Sequence, residues 1–198
     1  MDIQRPASKQ PIPDNAKKVF EGALFDVYQW EQEMFDGTKT TFEKLKRPDT
    51  VVIFPVLPDG KIILTEQEQP GKKPFIGTTG GRVDKGEDIL MAAKRELLEE
   101  SGYEAEEFIL WDAQHPTSKI DWVVYTFIAK GLKKVAGLHL DAGEKIKLLP
   151  VTLDKLIDKA TNGHKNFYEK EVVIKFFEAK LDPKKMEEIK ELFKPLNK

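Results

Sequence analysis

The sequence predicts an α+β layered domain, and three observations carry that prediction. Strand-like stretches come first, one helix interrupts them, more strands follow and helices close the chain, an order unlike the strict alternation of a doubly wound parallel sheet. Hydrophobic residues make up 40% of 198 residues and include 12 Phe, enough for one packed core. No internal repeat is visible, which leaves a single layered unit.

Residues 1–16 are rich in Pro and polar turn formers and read as a loose arm. Residues 17–48 form an N-terminal strand element: ALFDVYQWEQ is strand-like, Asp36-Gly37 supplies a turn, and TKTTFEKLK returns, making a hairpin from about Val19 to Lys46. Residues 49–198 form the main domain. It opens with a second hairpin, Val51–Val56 turning at Pro58-Asp59-Gly60 into Lys61–Leu64. The stretch 77–86 holds Gly77, Gly80, Gly81 and Gly86 with no apolar run, and reads as a loop. Glu87 to Ser101 is a helix stopped by Gly102, a natural C′ residue. Ile120–Lys130 (IDWVVYTFIAK) is a buried strand and Glu144–Leu149 another. Thr152 caps a helix running to Gly163, a further helix lies around Glu169–Lys180, and Asp182-Pro183 opens the last.

The bulk numbers exclude several classes. A net charge of -2 with both signs interspersed argues against a basic nucleic-acid surface. The absence of cysteine excludes disulfides and thiolate metal sites. The start, MDIQRPASKQPIP, lacks the apolar stretch of a secretory signal, and no run reaches membrane-spanning length, so no membrane association and a cytoplasmic location are expected.

Residues 81–103, GRVDKGEDILMAAKRELLEESGY, carry the chemistry. At about 100° per residue, Glu96, Glu99 and Glu100 share one helix face, while Leu90, Ala93 and Leu97 form a neighbouring face that seats the helix on the core. Arg95 stands four residues before Glu99 and can brace it. Like charges so placed repel by roughly 0.2–0.5 kcal/mol per pair, a cost that a hard divalent cation among them removes. The last helix is an internal control: Glu187, Glu188 and Glu191 have similar spacing, but lysines are mixed in and no glycine loop precedes them, so that face is read as solvated and salt-bridged. The distinguishing feature is therefore the frame Gly-x5-Glu-x7-Arg-Glu-apolar-x-Glu-Glu-x-Gly-apolar, built on Gly81, Glu87, Arg95, Glu96, Glu99, Glu100 and Gly102. A chance match has a probability on the order of 10⁻⁷ per starting position.

That frame resembles the signature of the Nudix hydrolase family; Tyr103 stands where an aliphatic side chain is usual. The resemblance implies an α/β/α sandwich with a mixed sheet, an N-terminal antiparallel hairpin and C-terminal helices. It implies Mg²⁺, with Mn²⁺ as a substitute, held by Glu96, Glu100, Glu99 and the Gly80 carbonyl. Glu87, Arg95, Gly81 and Gly102 would be structural. The implied activity is hydrolysis of the diphosphate bond of a nucleoside diphosphate linked to X, giving nucleoside monophosphate and phosphorylated X.

The N-terminal stretches FEGALFDVYQWEQ and FEKLKRPDTVVIFPVL, with the hairpin leading to Gln67, look like the ADP-ribose and nucleotide-sugar pyrophosphatase branch, whose N-terminal strands commonly build a homodimer and the substrate site. By that likeness DAGEKIKLL supplies an acid near the reacting phosphate, Glu144 first and Asp141 second. Gln67, Arg82 and Trp30 are candidate substrate contacts. Trp30 or Trp111 is a candidate base-stacking residue, and Trp122 is read as core. The branch's aromatic and arginine after the glutamine are replaced by Glu68-Gln69, and its Glu and Pro before the signature glycine by Ile76-Gly77-Thr78-Thr79-Gly80. His115, His139 and His164 show no metal-like spacing, and Phe176-Phe177 read as helix contacts with the core. The alternatives are a nucleoside triphosphate or dinucleoside polyphosphate hydrolase, and a non-catalytic nucleotide-binding module.

Overall fold

The computed structural model describes residues 3–162 and 167–196. In chain order the elements are β1 (Lys17–Glu21), β2 (Asp26–Glu33), β3 (Lys39–Lys46), β4 (Thr50–Pro55), β5 (Ile62–Glu68), β6 (Phe75–Gly77), β7 (Thr79–Arg82), α1 (Ile89–Ser101), β8 (Tyr103–Glu104), β9 (Glu107–Gln114), β10 (Ile120–Asp121), β11 (Val124–Lys130), β12 (Lys133–Lys134), β13 (Lys145–Val151), α2 (Leu153–Thr161), α3 (Lys170–Leu181) and α4 (Pro183–Leu192). The expected end of α2 at Gly163, and His164, lie outside the described residues.

The central sheet runs β7-β4-β11-β9, with β4 parallel to β11 and the other pairs antiparallel. Period-two alternation along its strands assigns its two faces. Val51, Ile53, Tyr125 and Phe127 meet Ala92, Ala93 and Leu97 of α1. Val52, Phe54, Val124 and Ile128 meet Leu156 and Ala160 of α2, Val172 and Phe176 of α3, and Ile189 of α4. Helices thus cover both faces, the expected α/β/α sandwich of mixed strands with C-terminal helices. Phe176 is fully buried, as expected, whereas Phe177 is exposed.

Two smaller sheets flank the centre: β13-β5-β6, all antiparallel, and the N-terminal sheet β1-β2-β3-β10, in which β10 runs parallel to β3. β8 and β12 form a short ladder.

Several elements differ from the sequence reading. The second hairpin closes as expected through a Val56–Ile62 bridge, but its strands then part into different sheets. Thr78 sits in the fork; its hydroxyl donates to Ile53 O at 2.5 Å and lies 3.3 Å from Ile63 O. Residues 77–86, read as loop, are partly strand: β7 pairs with β4 in the register Val52–Gly80 and Val51–Gly81. The single strand expected over Ile120–Lys130 breaks at Trp122-Val123, where Asp49 accepts the Val123 N–H at 2.8 Å.

Helix α1 begins two residues later than the sequence reading because Asp88 caps it, accepting from the N–H groups of Leu90 and Met91 at 2.9 and 3.1 Å. Gly102, at φ 69°, ends it. Burying Leu97 completely contributes roughly 1.5–3 kcal/mol to seating this helix. Thr152 and Asp182 cap α2 and α4 as expected. Residues 3–16 contain no helix or strand, yet the arm is tied down: Arg5 donates to Asp49 at 2.8 Å and to Asp121 at 2.9 Å, and Lys44 donates to Ser8 and to Gln10 O.

Candidate active site

A cleft of about 950 Å³ lies where α1, β7, the end of β5 and the loop before β13 converge. Into it α1 presents Glu96, Glu99 and Glu100, the loop presents Asp141 and Glu144, and Gln67 and Arg82 stand on its wall. Residues distant in sequence are thereby brought to one place. A smaller hollow of about 340 Å³ lies under the N-terminal arm, but its charged residues are already paired, Arg5 and Lys46 both with Asp121.

Arg95 organises the acidic face. Its guanidinium donates to Glu87 through two nitrogens, both at 3.0 Å, to Glu96 at 2.8 Å, to Glu99 at 3.0 Å and to Arg82 O at 2.9 Å. Planar donors in a fixed fork suit this multiple role. The Glu87 carboxylate also accepts the Asp84 N–H at 3.0 Å, tying the loop before α1 to the helix. Arg95 holds the Glu87 carboxyl below its ordinary range.

Deeper in the cleft the balance reverses. Burial pushes the Glu96 carboxyl up to about 7, with Arg95 opposing and the charges of Glu99 and Glu144 adding to the rise. Burial raises Glu100 further, to about 9, opposed by a hydrogen bond from the Gly80 N–H and reinforced by Glu96, Glu144 and Glu169. Glu144 is also raised, by burial first and then by Asp141.

The glycines at the head of the signature are required by close approach. A Cβ on Gly81 would lie 2.3 Å from Glu96 Oε1, and one on Gly80 would lie 2.3 Å from Val51 O, at a φ of 157°. Their smallness lets the carboxylates lie against the strand, where the Gly80 N–H donates to Glu100 at 2.8 Å.

The remaining candidates distribute unevenly. The Gln67 amide donates to Thr65 at 2.8 Å and to Thr78 O at 3.4 Å, fixing it at the wall. Trp30 does not line the cleft; it is 8% exposed, packs edge-on to Phe42 and donates to Gln32. Trp111 is a core residue between Phe54, Phe176 and Phe193. Trp122 packs against the core, as read from sequence, and also lines the cleft, with the Arg47 guanidinium 4.5 Å above its ring. The sequence reading missed Arg47, Phe75, Tyr168 and Glu169, all on the cleft wall; only the RPDT stretch before β4 offered a local signal for one of them.

The donor set, all oxygen and mostly carboxylate, fits a hard divalent cation, and the raised carboxyls of Glu96 and Glu100 are what such a cation would relieve. Among the described residues no three acidic or imidazole side chains stand close enough to share one ion as placed.

Comparison with known proteins places these observations. A family model described as the NUDIX domain matches residues 46–170. The chain is 30% identical over 162 residues to a methanol dehydrogenase activator of Bacillus methanolicus, covering 80% of this chain and 86% of that one. It is 30% identical over 141 residues to an ADP-ribose pyrophosphatase of Bacillus subtilis, covering 70% and 76%. A crystal structure of an ADP compounds hydrolase superposes with a TM-score of 0.62 at 23% identity, covering 77% of this chain and 84% of that one. Sequence frame, sandwich and family match agree, and the chain belongs to the Nudix family of pyrophosphohydrolases.

Proposed function

We propose that the protein hydrolyses the diphosphate bond of ADP-ribose or a related ADP compound, using a divalent cation, Mg²⁺ or Mn²⁺. The observation that carries this reading is the convergence of Glu96, Glu99 and Glu100 from α1 with Glu144 from the loop before β13 in one cleft. ADP as the nucleotide part of the substrate is supported by the B. subtilis relative and by a third relative, an ADP compounds hydrolase of Escherichia coli, 29% identical over 99 residues.

Glu96 and Glu100 would hold the cation, with Glu99 and the Gly80 carbonyl beside them. When bound it neutralises phosphate oxygens and acidifies a bound water. Arg95 keeps Glu96 and Glu99 oriented, and Glu87 keeps Arg95 in place. Glu144, raised by burial, takes the proton of the attacking water. Arg82 and Gln67 contact the substrate, and the stacked Arg47–Trp122 pair offers a cation and a flat apolar face at the same wall.

We also propose a homodimer through the N-terminal sheet. Strand β1 is a sheet edge exposed along its whole length, with Val19 51% and Phe20 58% accessible. Light scattering should report a dimer that Phe20→Glu converts to monomer.

The activity test is monophosphate release from ADP-ribose, nucleotide sugars, NADH and nucleoside triphosphates, each with Mg²⁺ and with EDTA. Turnover of ADP-ribose with Mg²⁺ and none with EDTA is the expected result. Pyrophosphate from triphosphates alone would overturn the substrate class. Binding without any turnover would favour a regulatory module, the reading to which the activator relative lends weight.

A further inference from the structure

The C-terminal helices contribute more than a cover for the sheet. Between α2 and α3 the segment Phe167–Glu169 lies along β6: Phe167 bridges to Ile76 in parallel, and the Tyr168 N–H donates to Ile76 O at 2.8 Å. The next residue, Glu169, is 5% exposed and lies on the cleft wall. One of its oxygens accepts the Thr78 N–H at 2.9 Å. The same oxygen lies 2.8 Å from where a Cβ on Gly77 would stand, so the carboxylate occupies the volume that a side chain at residue 77 would take. Thr78 in turn stands in the fork between β4 and β5, and two residues on the Gly80 N–H holds Glu100.

We propose that Glu169 is a positioning residue of the cleft, one that locks the β6–β7 backbone from the C-terminal helices and thereby sets the Gly80 N–H that orients Glu100. This gives the C-terminal helices a role in the site: they deliver an acceptor to a strand that has no side chain of its own at residue 77. The assignment of Glu100 to the reaction rests on the function proposed above; the backbone lock does not.

Two readouts test it, amide hydrogen exchange over residues 76–82 and steady-state hydrolysis, on Glu169→Ala, Glu169→Gln, Gly77→Ala and the Gly77→Ala/Glu169→Ala double variant. In Glu169→Ala, exchange at Thr78 and Gly80 should quicken at least about tenfold. Its kcat should fall about 10- to 100-fold, with KM moving less than about threefold. Glu169→Gln, whose amide oxygen can still accept from Thr78, should keep protection and retain kcat within about threefold. Gly77→Ala should lose activity in the wild-type background but cost nothing further once Glu169 is Ala, because the clash is gone. Wild-type exchange and kcat in Glu169→Ala would overturn the proposal, as would a Gln variant as impaired as Ala. Should Glu169→Ala fail to fold, the contrast between Glu169→Gln and Gly77→Ala still decides: wild-type behaviour of Gly77→Ala overturns it. A wild-type protein that hydrolyses nothing while Glu169→Ala quickens exchange would defeat the hydrolase reading and leave the lock standing.

Discussion

Glu96 and Glu100 are held where ionisation is costly, and that cost can be read out as stability. Each has a folded-state pKa above its ordinary value of 4.5, about 7 and about 9. The folded state therefore binds protons that the unfolded chain has released, and the associated stability is full below pH 4.5 and is lost as pH rises through 7 and 9. Thermal melts in EDTA should fall over this range, and Mg²⁺ should flatten the decline by favouring the ionised carboxylates. An EDTA profile that instead rises with pH would contradict the burial argument. For the same reason Glu100→Gln should raise the metal-free Tm by several degrees while kcat drops at least about a thousandfold, a stability–activity trade. At this scale, the three glutamates and Arg95 were legible because helical spacing joins them. Arg47 and Glu169 were not, since they reach the cleft from segments with no spacing relation to the signature.

Among the elements, α1 was the most legible. Its apolar stripe and its acidic face follow from one 3.6-residue period, and its stop from the left-handed conformation open to Gly102. Its seating is testable: Leu97→Ala should cost about 2–5 kcal/mol, and Asp88→Ala about 1 kcal/mol through the lost cap. Urea titration of both variants checks the values, and equal losses would mean that the helix is held by its ends more than by its face. Strand β7 was illegible as strand because its two central residues are glycine, which strands disfavour; pairing with β4 imposes the extended form. β9 also went unrecognised, though it pairs along the whole of β11. With it went the orientation of the tryptophans, since Trp111 belongs to β9 and faces α3 while Trp122 sits at the break between β10 and β11.

For the molecule as a whole, the layered class and the chain order of strands and helices were visible in the sequence. The division into separate sheets was not, because partner choice between distant strands leaves little local trace. The site depends on that division: the cleft opens where the central sheet and the β13-β5-β6 sheet diverge around Thr78. The N-terminal arm bears on it from outside. Arg5 neutralises Asp49 and Asp121, and Asp49 also holds the Val123 N–H at the turn that aims Trp122 into the cleft. We expect removal of residues 1–16 to weaken substrate binding several-fold, read as KM, with little change in kcat. An unchanged KM would show that the break at Trp122 needs no such clamp. Because residues 3–16 have no regular structure and the anchoring arginine is 39% exposed, this arm is also open to a protease. A single cut between Arg5 and Lys17, far from any reacting atom, would then serve as a one-way adjustment of substrate affinity in a molecule whose chemistry is intact.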